Sequence, residues 1–315
     1  MKTRFIILII IAAFGTKGFA QLGTPLSQFS GNQTLYNPAY AGAYEMLAMN
    51  LSLRQQWTQF PGAPRIINFN AHSPIQRSRQ AVGLVYTRQE WGPLVGNYVY
   101  GNYAHRIYVG QGVLKFGLQA GILNRVTNWN LFDEFGVDDP TDITFDPDGT
   151  GRSVATKFDA GLGVFFMTEN YYVGASAKHI TRPKFDHVRI NDTNWHSQMP
   201  VDWFFMAGYR HHFNDMWSVR PEVLVRYIPT VPVSVNVGMH MYFTNNYSFG
   251  ANFMTGQRAV SFMAKAMITD NFRVGFSYDV YFGQVQSFQR GSYEIMVNYY
   301  IRDILWDRRT NVRRD

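Results

Sequence analysis

The residues of this sequence that could do chemistry are few, and their spacing does not fit a catalytic or metal-binding motif. The sequence has no G-x-S-x-G elbow, H-E-x-x-H pair or Walker loop, and no cysteine. His211 and His212 are adjacent in a predicted strand, so their rings point to opposite faces and cannot share a metal ion. The run from Asp146 to Gly151 resembles the start of a calcium loop, but its twelfth position is Lys157 where a bidentate Glu is needed. We interpret this run as an acidic turn, and we expect no enzyme activity, no metal and no cofactor.

The first twenty residues have the order of a secretory signal peptide. Lys2 and Arg4 precede an apolar run, Phe5–Phe14, and small residues precede the expected cleavage point after residue 20. An apolar run of about ten residues is too short for a membrane-spanning helix, which needs ~20. The sequence therefore predicts export and removal of residues 1–20.

The composition of the remaining chain is unusual for a soluble protein. Aromatic residues make up 16% of the sequence and charged residues 16%, whereas soluble domains average about 25% charged residues. No later stretch approaches ~20 uninterrupted apolar residues, which excludes spanning helices. A closed β-barrel is the other way for a chain to cross a bilayer, because every backbone hydrogen bond is then made between strands.

Several segments alternate apolar and polar residues with a period of two. In the clearest one, Val233, Val235 and Val237 alternate with Ser234 and Asn236. The same period runs through residues 47–53, 272–282 and 293–301, and it excludes amphipathic helices, whose stripes repeat every three to four residues. A soluble β-sandwich also alternates in this way, so the pattern alone leaves both fold classes open.

The spacing of the turns favours the membrane barrel, because every second connection is short. Turns of two or three residues occur at 168–170, 214–215, 244–246 and 269–271, and longer connections lie between them at 125–153 and 182–199 among others. We therefore predict an all-β fold, a transmembrane antiparallel β-barrel of about fourteen strands in the outer membrane, with both termini in the periplasm. The predicted strands are 45–58, 63–72, 80–89, 97–108, 112–124, 154–167, 171–181, 201–213, 217–228, 231–243, 247–254, 258–268, 272–283 and 291–302. The predicted parts of the chain are the signal peptide (1–20), a periplasmic N-terminal segment or plug (21–44), the barrel (45–302) and a basic periplasmic tail (303–315).

The N-terminal segment and the tail are the two parts that the barrel pattern does not explain. Residues 21–44 carry apolar residues without a steady period, punctuated by prolines and glycines, which indicates irregular structure. This segment could fill the lumen as a plug, lie against a partner, or be a leader without fixed contacts. The tail contains Arg308 and Arg309 among several arginines and could meet an acidic partner or anionic membrane lipids. Its shortness and the compartment argue against nucleic-acid binding.

Short blocks spread over almost the whole mature chain resemble the PorP/SprF family of outer-membrane proteins of Bacteroidetes, which is associated with type IX secretion and, in gliding species, with gliding motility. The blocks are Gln28–Ser30, Asn37–Gly42, Arg54–Trp57, Phe60–Pro64, His72–Pro74, Phe116–Gly121, Gly275–Asp279 and Gly291–Met296. The resemblance implies a barrel that anchors the periplasmic ring or lipoprotein components of the secretion system, or that accompanies a secreted adhesin.

On this basis we predict partner binding by residues of the early blocks and of the tail. The predicted partner-binding residues are Gln28, Phe29, Asn37, Pro38, Tyr40, Gly42, Arg54, Trp57, Phe60, Pro61, Gly62, Pro64, His72, Arg308 and Arg309. Local packing and an interfacial aromatic girdle would explain Arg54, Trp57, Phe60 and His72 equally well. Without the resemblance, composition and alternation do not distinguish a secretion component from a FadL-like channel for small or apolar solutes.

Overall fold

The described part of the chain forms a long antiparallel sheet and three short 3-10 turns. The computed structural model describes residues 26–75, 78–128, 151–190, 193–229, 231–282 and 289–301. The strands are β1 (Leu47–Gln55), β2 (Arg65–Pro74), β3 (Gln80–Trp91), β4 (Leu94–Val109), β5 (Gly112–Asn128), β6 (Arg152–Met167), β7 (Tyr171–Lys178), β8 (Lys184–Ile190), β9 (Thr193–Gln198), β10 (Asp202–Tyr209), β11 (His211–His212), β12 (Trp217–Tyr227), β13 (Ser234–Phe243), β14 (Tyr247–Met254), β15 (Ala259–Thr269), β16 (Phe272–Tyr281) and β17 (Ser292–Ile301). No helix among the described residues is long and apolar enough to cross a membrane.

The sheet closes on itself. Its first and last strands, β1 and β17, pair directly, with Asn50 opposite Asn298. Farther round, β7 pairs with β10 and β10 with β12, while the two residues of β11 also pair with β12. With β11 counted as the end of β10, this is a closed antiparallel barrel of 14 strands, and the predicted fold class is confirmed.

Inward and outward positions alternate along each barrel strand, as the sequence pattern predicts. In β1, Asn50 and Ser52 are buried inside the barrel, whereas Leu51 and Leu53 are exposed on its outer surface. Leu118 on β5 is 62% exposed. The outer surface is therefore an apolar band suited to acyl chains, and the interior is polar.

The two ends of the barrel differ in their connections. At the short-turn end the strands join through residues 75–79, 110–111, 168–170, 213–216, 244–246 and 270–271, and the chain enters β1 and leaves β17 there. Thr244 and Asn245 both have positive φ, as the tight mirror-image hairpin turns require. The opposite, long-loop end carries the longest connections, 129–151 and 179–201.

Two connections at the long-loop end differ from the prediction. The connection predicted at 182–199 contains a hairpin of β8 and β9, whose register shifts between Asp186 and Val188. This irregularity interrupts the period of two, and the strands are shorter than the ten residues expected of a barrel strand. Between β3 and β4 the predicted gap closes to Gly92 and Pro93, because Gly92 takes a positive φ (52°) that permits a two-residue turn.

Candidate functional site

The lumen of the barrel is occupied by the chain's own N-terminal segment. Residues 26–44, hereafter the plug segment, run inside the wall as three 3-10 turns, Phe29–Gly31, Gln33–Leu35 and Pro38–Tyr40. The plug segment buries apolar side chains and polar ones alike. The buried polar side chains are Ser27, Gln28, Ser30, Asn32, Gln33, Thr34 and Asn37. Burial of polar groups is stable where they find hydrogen-bond partners. The wall supplies partners to the side chains of Ser27, Gln28, Ser30, Asn32 and Asn37.

A charged clamp holds the start of the plug segment where the barrel closes. Arg54 of β1 lies opposite Glu294 of β17 in the strand register, and its Nη2 is 2.6 Å from Asp279 Oδ2 on β16. Ser27 completes the clamp: its amide donates to Glu294 Oε2 at 2.7 Å, its hydroxyl lies 2.8 Å from Asp279 Oδ1, and Arg54 Nη1 also donates to that hydroxyl. The side chains of all three ionic residues are fully buried. Because charges without partners are costly in such surroundings, removal of either carboxylate would weaken the clamp strongly.

A second charged cluster lies one turn along the plug segment. Glu222 Oε1 is 2.8 Å from His240 Nε2 and Glu222 Oε2 is 3.2 Å from Arg220 Nε. The hydroxyl of Ser30 faces this cluster at 3.4 Å from His240 Nε2 and accepts a hydrogen bond from Lys265 Nζ at 3.2 Å. The plug segment therefore shares a polar network with strands β12, β13 and β15.

On the other side of the lumen, asparagines connect the plug segment to β2. Asn32 donates to Asn68 Oδ1 at 2.7 Å and accepts from Asn70 Nδ2 at 2.5 Å. Asn68 in turn donates to Thr87 Oγ1 on β3 at 2.7 Å. Amide side chains suit this role because each offers a donor and an acceptor to neighbours on both sides.

The segment from Asn37 to Gly42 fits closely against β5, β6 and β7. Asn37 caps its own turn by accepting from the amide of Ala39 at 2.9 Å, and its Nδ2 donates to the carbonyls of Val164 and Ala175 at 2.9 and 3.2 Å. The backbone of Ala39 lies so close to Gly117 that a Cβ at this glycine would overlap it. A glycine is needed on the wall here because the two backbones touch.

The end of the plug segment is anchored by a buried lysine and a histidine. Lys115 Nζ donates to the carbonyl of Ala41 at 2.7 Å, and the amide of Gly42 donates to His72 Nδ1 at 3.1 Å. Gly42 has φ 63°, and a Cβ there would overlap Ala81 of β3, so both conformation and space favour glycine.

In the middle of the plug segment, burial raises the pKa of the Tyr36 hydroxyl well above its ordinary value. That hydroxyl accepts from the amide of Leu26 at 2.8 Å.

Comparison with known proteins gives the family. The family model described as "Type IX secretion system membrane protein PorP/SprF" matches residues 18–299. The chain belongs to the PorP/SprF family. No curated protein sequence matches it.

Solved structures show the same fold at low sequence identity. The PorP/SprF chain is similar to a structure named "CymD monoaromatic hydrocarbon channel", with 12% identity, a TM-score of 0.54, and coverage of 91% of this chain and 95% of the other. It is also similar to the toluene transporter TodX of Pseudomonas putida, with 12% identity, a TM-score of 0.51, and coverage of 91% and 96%. At such identities the likeness concerns the barrel fold alone.

The structure places the residues predicted to bind partners in two different regions. Eight of them lie in the lumen, on the plug segment or on the wall that faces it: Gln28, Phe29, Asn37, Pro38, Tyr40, Gly42, Arg54 and His72. Five lie on the β1–β2 loop at the long-loop end: Trp57, Phe60, Pro61, Gly62 and Pro64. Arg308 and Arg309 lie outside the described residues.

The two regions offer different contacts. The eight lumenal residues of the PorP/SprF chain contact the barrel wall from the inside, some by hydrogen bonds and some by packing. The β1–β2 loop is attached to the neighbouring β16–β17 loop, with the amide of Thr58 donating to the Gly291 carbonyl at 3.0 Å. Phe60 on this loop is 47% exposed and offers an apolar side chain to the surroundings. Partner binding at either region stays a prediction.

Sequence reasoning did not find the wall residues that hold the plug segment. All five lie at inward positions of strands that alternate polar and apolar residues: Asp279, Glu294, His240, Lys265 and Lys115. This position was the available signal, because a charged side chain facing a barrel interior needs either water or a bonded partner.

Proposed function

We propose that this protein is a sealed, non-enzymatic outer-membrane anchor of the type IX secretion system, to which periplasmic components of the machinery attach. The observation that carries the proposal is the plug segment, which fills the lumen and bonds to strands on all sides of it. A polypeptide in transit cannot share that space, so the contribution of the protein to secretion is support and attachment.

The two ends of the barrel suggest which side faces the periplasm. Short turns are typical of the periplasmic end of outer-membrane barrels, and at the short-turn end the chain enters β1 and leaves β17. We infer that the plug segment enters the lumen from the periplasm. The C-terminal end of β17 would then face the periplasmic ring.

Two measurements test this function together. Affinity purification of the full-length protein from native outer membranes should bring down periplasmic ring or lipoprotein components, and deletion of the gene should stop export of all type IX cargo. Loss of one surface adhesin with normal export of other cargo would favour the adhesin-accompanying role. Normal export of every cargo in the deletion strain would reject both roles.

A solute channel is the second candidate, supported by the barrel fold shared with two hydrocarbon channels. It predicts uptake of small apolar solutes into liposomes that contain the purified barrel. If these liposomes take up no apolar solute while the plug segment stays in the lumen, the channel function is rejected. The seated plug segment is the reason that we place this function second.

A further inference from the structure

Three arginines lie over tyrosine rings at the short-turn mouth of the lumen. The guanidinium carbons of Arg210 and Arg220 lie 4.6 and 5.2 Å from the centroid of the Tyr242 ring. The guanidinium carbon of Arg273 lies 5.8 Å from the centroid of the Tyr300 ring. Arg220 and Arg273 belong to the ends of β12 and β16 that adjoin the short turns, and Arg210 follows β10. These three residues are hereafter called the arginine cluster.

The arginine cluster points into the lumen. Arg220 Nε lies 3.2 Å from Oε2 of Glu222, which is buried inside the barrel. Arg210 contacts the same tyrosine ring as Arg220. The ring beside Arg273 belongs to Tyr300, which is also buried inside the barrel. Membrane lipids surround the outer face of the wall, so a ligand of this cluster must come from the aqueous side.

The β13–β14 turn holds two members of the cluster together. Arg210 Nη2 donates to Asn245 Oδ1, and Arg273 Nη2 donates to the carbonyl of the same residue at 3.5 Å. Arg210 is fixed further by its Nε, which donates to Ser218 Oγ at 3.0 Å. Because both guanidiniums bond to one residue, their positive charges are held near each other. Preorganised cations lose little conformational freedom when an anion binds, which favours binding.

The positive charge of the cluster is only partly balanced. Glu222 is the carboxylate that contacts it, through Arg220. Within the described ranges, neither Arg210 nor Arg273 forms an ion pair with a carboxylate, those of the adjacent short turns included. Bonds to described residues use two N–H donors of Arg210 and one of Arg273, out of the five that a guanidinium carries. The mouth therefore offers both positive charge and hydrogen-bond donors to an anion.

The plug segment forms a floor beneath the cluster. The ring of Tyr44, the last residue of that segment, packs edge-on against the Tyr300 ring at 5.5 Å. A ligand can therefore dock at the mouth without passing through the barrel. At an open site, several carboxylates on one chain can engage separate guanidiniums at the same time, which a single small anion cannot do. Arginine also binds carboxylates through two parallel hydrogen bonds. These features favour an acidic peptide segment as the ligand.

We propose that the arginine cluster binds an acidic segment of a periplasmic protein, whose carboxylates pair with Arg210 and Arg273. For the source of that segment the inference rests on the proposed anchoring function, in which the short-turn end faces the periplasm. It adds to that function a defined attachment site, the mouth of the lumen beside the end of β17.

The test is a fluorescence-anisotropy titration of the full-length protein in detergent with labelled hexaglutamate. Labelled hexaglutamine is the uncharged control peptide, and inorganic phosphate is the small-anion competitor. The double variant Arg210→Gln/Arg273→Gln removes the two cations. The matched control is Arg65→Gln/Arg88→Gln, which removes the same charge at the long-loop end, where Arg65 is exposed and Arg88 pairs with Glu90 at 2.7 Å. Heat-modifiable migration on gels would confirm that both double variants fold.

We expect saturable binding of hexaglutamate that weakens as the salt concentration rises, and no saturable binding of hexaglutamine. Arg210→Gln/Arg273→Gln should weaken hexaglutamate binding by about tenfold or more, as loss of charge-assisted hydrogen bonds implies, while the control double variant should not change it. Phosphate that binds as tightly as hexaglutamate would indicate a small-anion site and overturn the proposal. Equal binding of the two peptides, unchanged binding by Arg210→Gln/Arg273→Gln, or an absence of saturable binding would overturn it as well.

Affinity purification from native outer membranes separates this inference from the anchoring function. Arg210→Gln/Arg273→Gln should bring down less of the periplasmic ring or lipoprotein components than the wild type and the control double variant. Unchanged recovery would overturn the inference and leave the anchoring function intact. If hexaglutamate binds but the wild type brings down no such component, the anchoring function fails and binding of an acidic segment by the cluster stands.

Discussion

The contact between Gly117 of β5 and the backbone of Ala39 gives the sharpest test of the sealed lumen. In a Gly117→Val variant the new side chain occupies the space of the Pro38–Ala39 peptide, and that backbone can yield only if the turn lifts off the wall. The matched control is Gly101→Val on the neighbouring strand β4. A Cβ at Gly101 would meet only the Ala120 carbonyl, at 3.9 Å, and the residue is exposed on the outer surface.

The cost of Gly117→Val follows from what the turn loses. Overpacking of a close contact costs about 1–3 kcal/mol. Lifting the turn also breaks the two hydrogen bonds of the Asn37 amide and the one from Lys115 to Ala41, at about 1 kcal/mol each. Because lifting relieves the overpacking, the two costs are alternatives and do not add. The seated plug segment is therefore destabilised by about 3 kcal/mol at most, which shifts the balance between seated and displaced plug segment by about two powers of ten.

Chymotrypsin provides the assay, because the plug segment contains Phe29, Leu35, Tyr36 and Tyr40 but no lysine or arginine. When opening is fast relative to cleavage, the cleavage rate follows the population of the displaced state. We expect rapid cleavage within the plug segment and raised ion conductance for Gly117→Val, and wild-type behaviour for Gly101→Val. Retained heat-modifiable migration on gels would show that both barrels fold. If Gly117→Val stays as protease-resistant and as poorly conducting as Gly101→Val, the lumen is not sealed in the way described.

Further predictions concern the clamp, the lysine anchor and the outer face. Asp279→Asn should lower the free energy of unfolding by about 3–5 kcal/mol, because Arg54 keeps its buried charge and loses its closest carboxylate; a denaturant midpoint equal to that of the wild type would contradict the clamp. Lys115→Met should speed chymotryptic cleavage of the plug segment by about tenfold, since the Ala41 carbonyl loses its donor, and an unchanged rate would show that this bond does not hold the segment. Leu118→Arg on the outer face should destabilise the barrel in lipid by about 2–4 kcal/mol and have a smaller effect in detergent; equal effects in both would argue against a lipid-facing position.

The sequence predicted the strands of the barrel wall better than the contacts of the plug segment inside the lumen. Alternation and turn spacing depend on residues near each other in the chain, so strands such as Ser234–Phe243 and Tyr247–Met254 agree closely with the prediction. The β8–β9 hairpin was missed because its register shift hides the period of two. The turn at Gly92 was also missed, since it depends on a single positive φ.

The candidate site consists of contacts between residues far apart in the sequence, which no local sequence pattern predicts. Asn37 binds a carbonyl 127 residues away, and Ser27 binds a carboxylate 267 residues away. Which inward side chains meet the plug segment is decided by the strand register and by closure of the whole barrel. The family resemblance marked Asn37, Arg54 and His72 as important, but it did not indicate that they contact the barrel's own interior.

The clamp has a consequence for the order of assembly. Ser27 leaves the ribosome early, whereas Asp279 and Glu294, to which it binds, belong to β16 and β17, the last two strands among the described residues. The site that binds Ser27 therefore exists only once β17 has paired with β1. The plug segment can be bound in the lumen only after the barrel has closed. Seating of this segment then locks the newly formed junction from within, which makes the final step of insertion difficult to reverse.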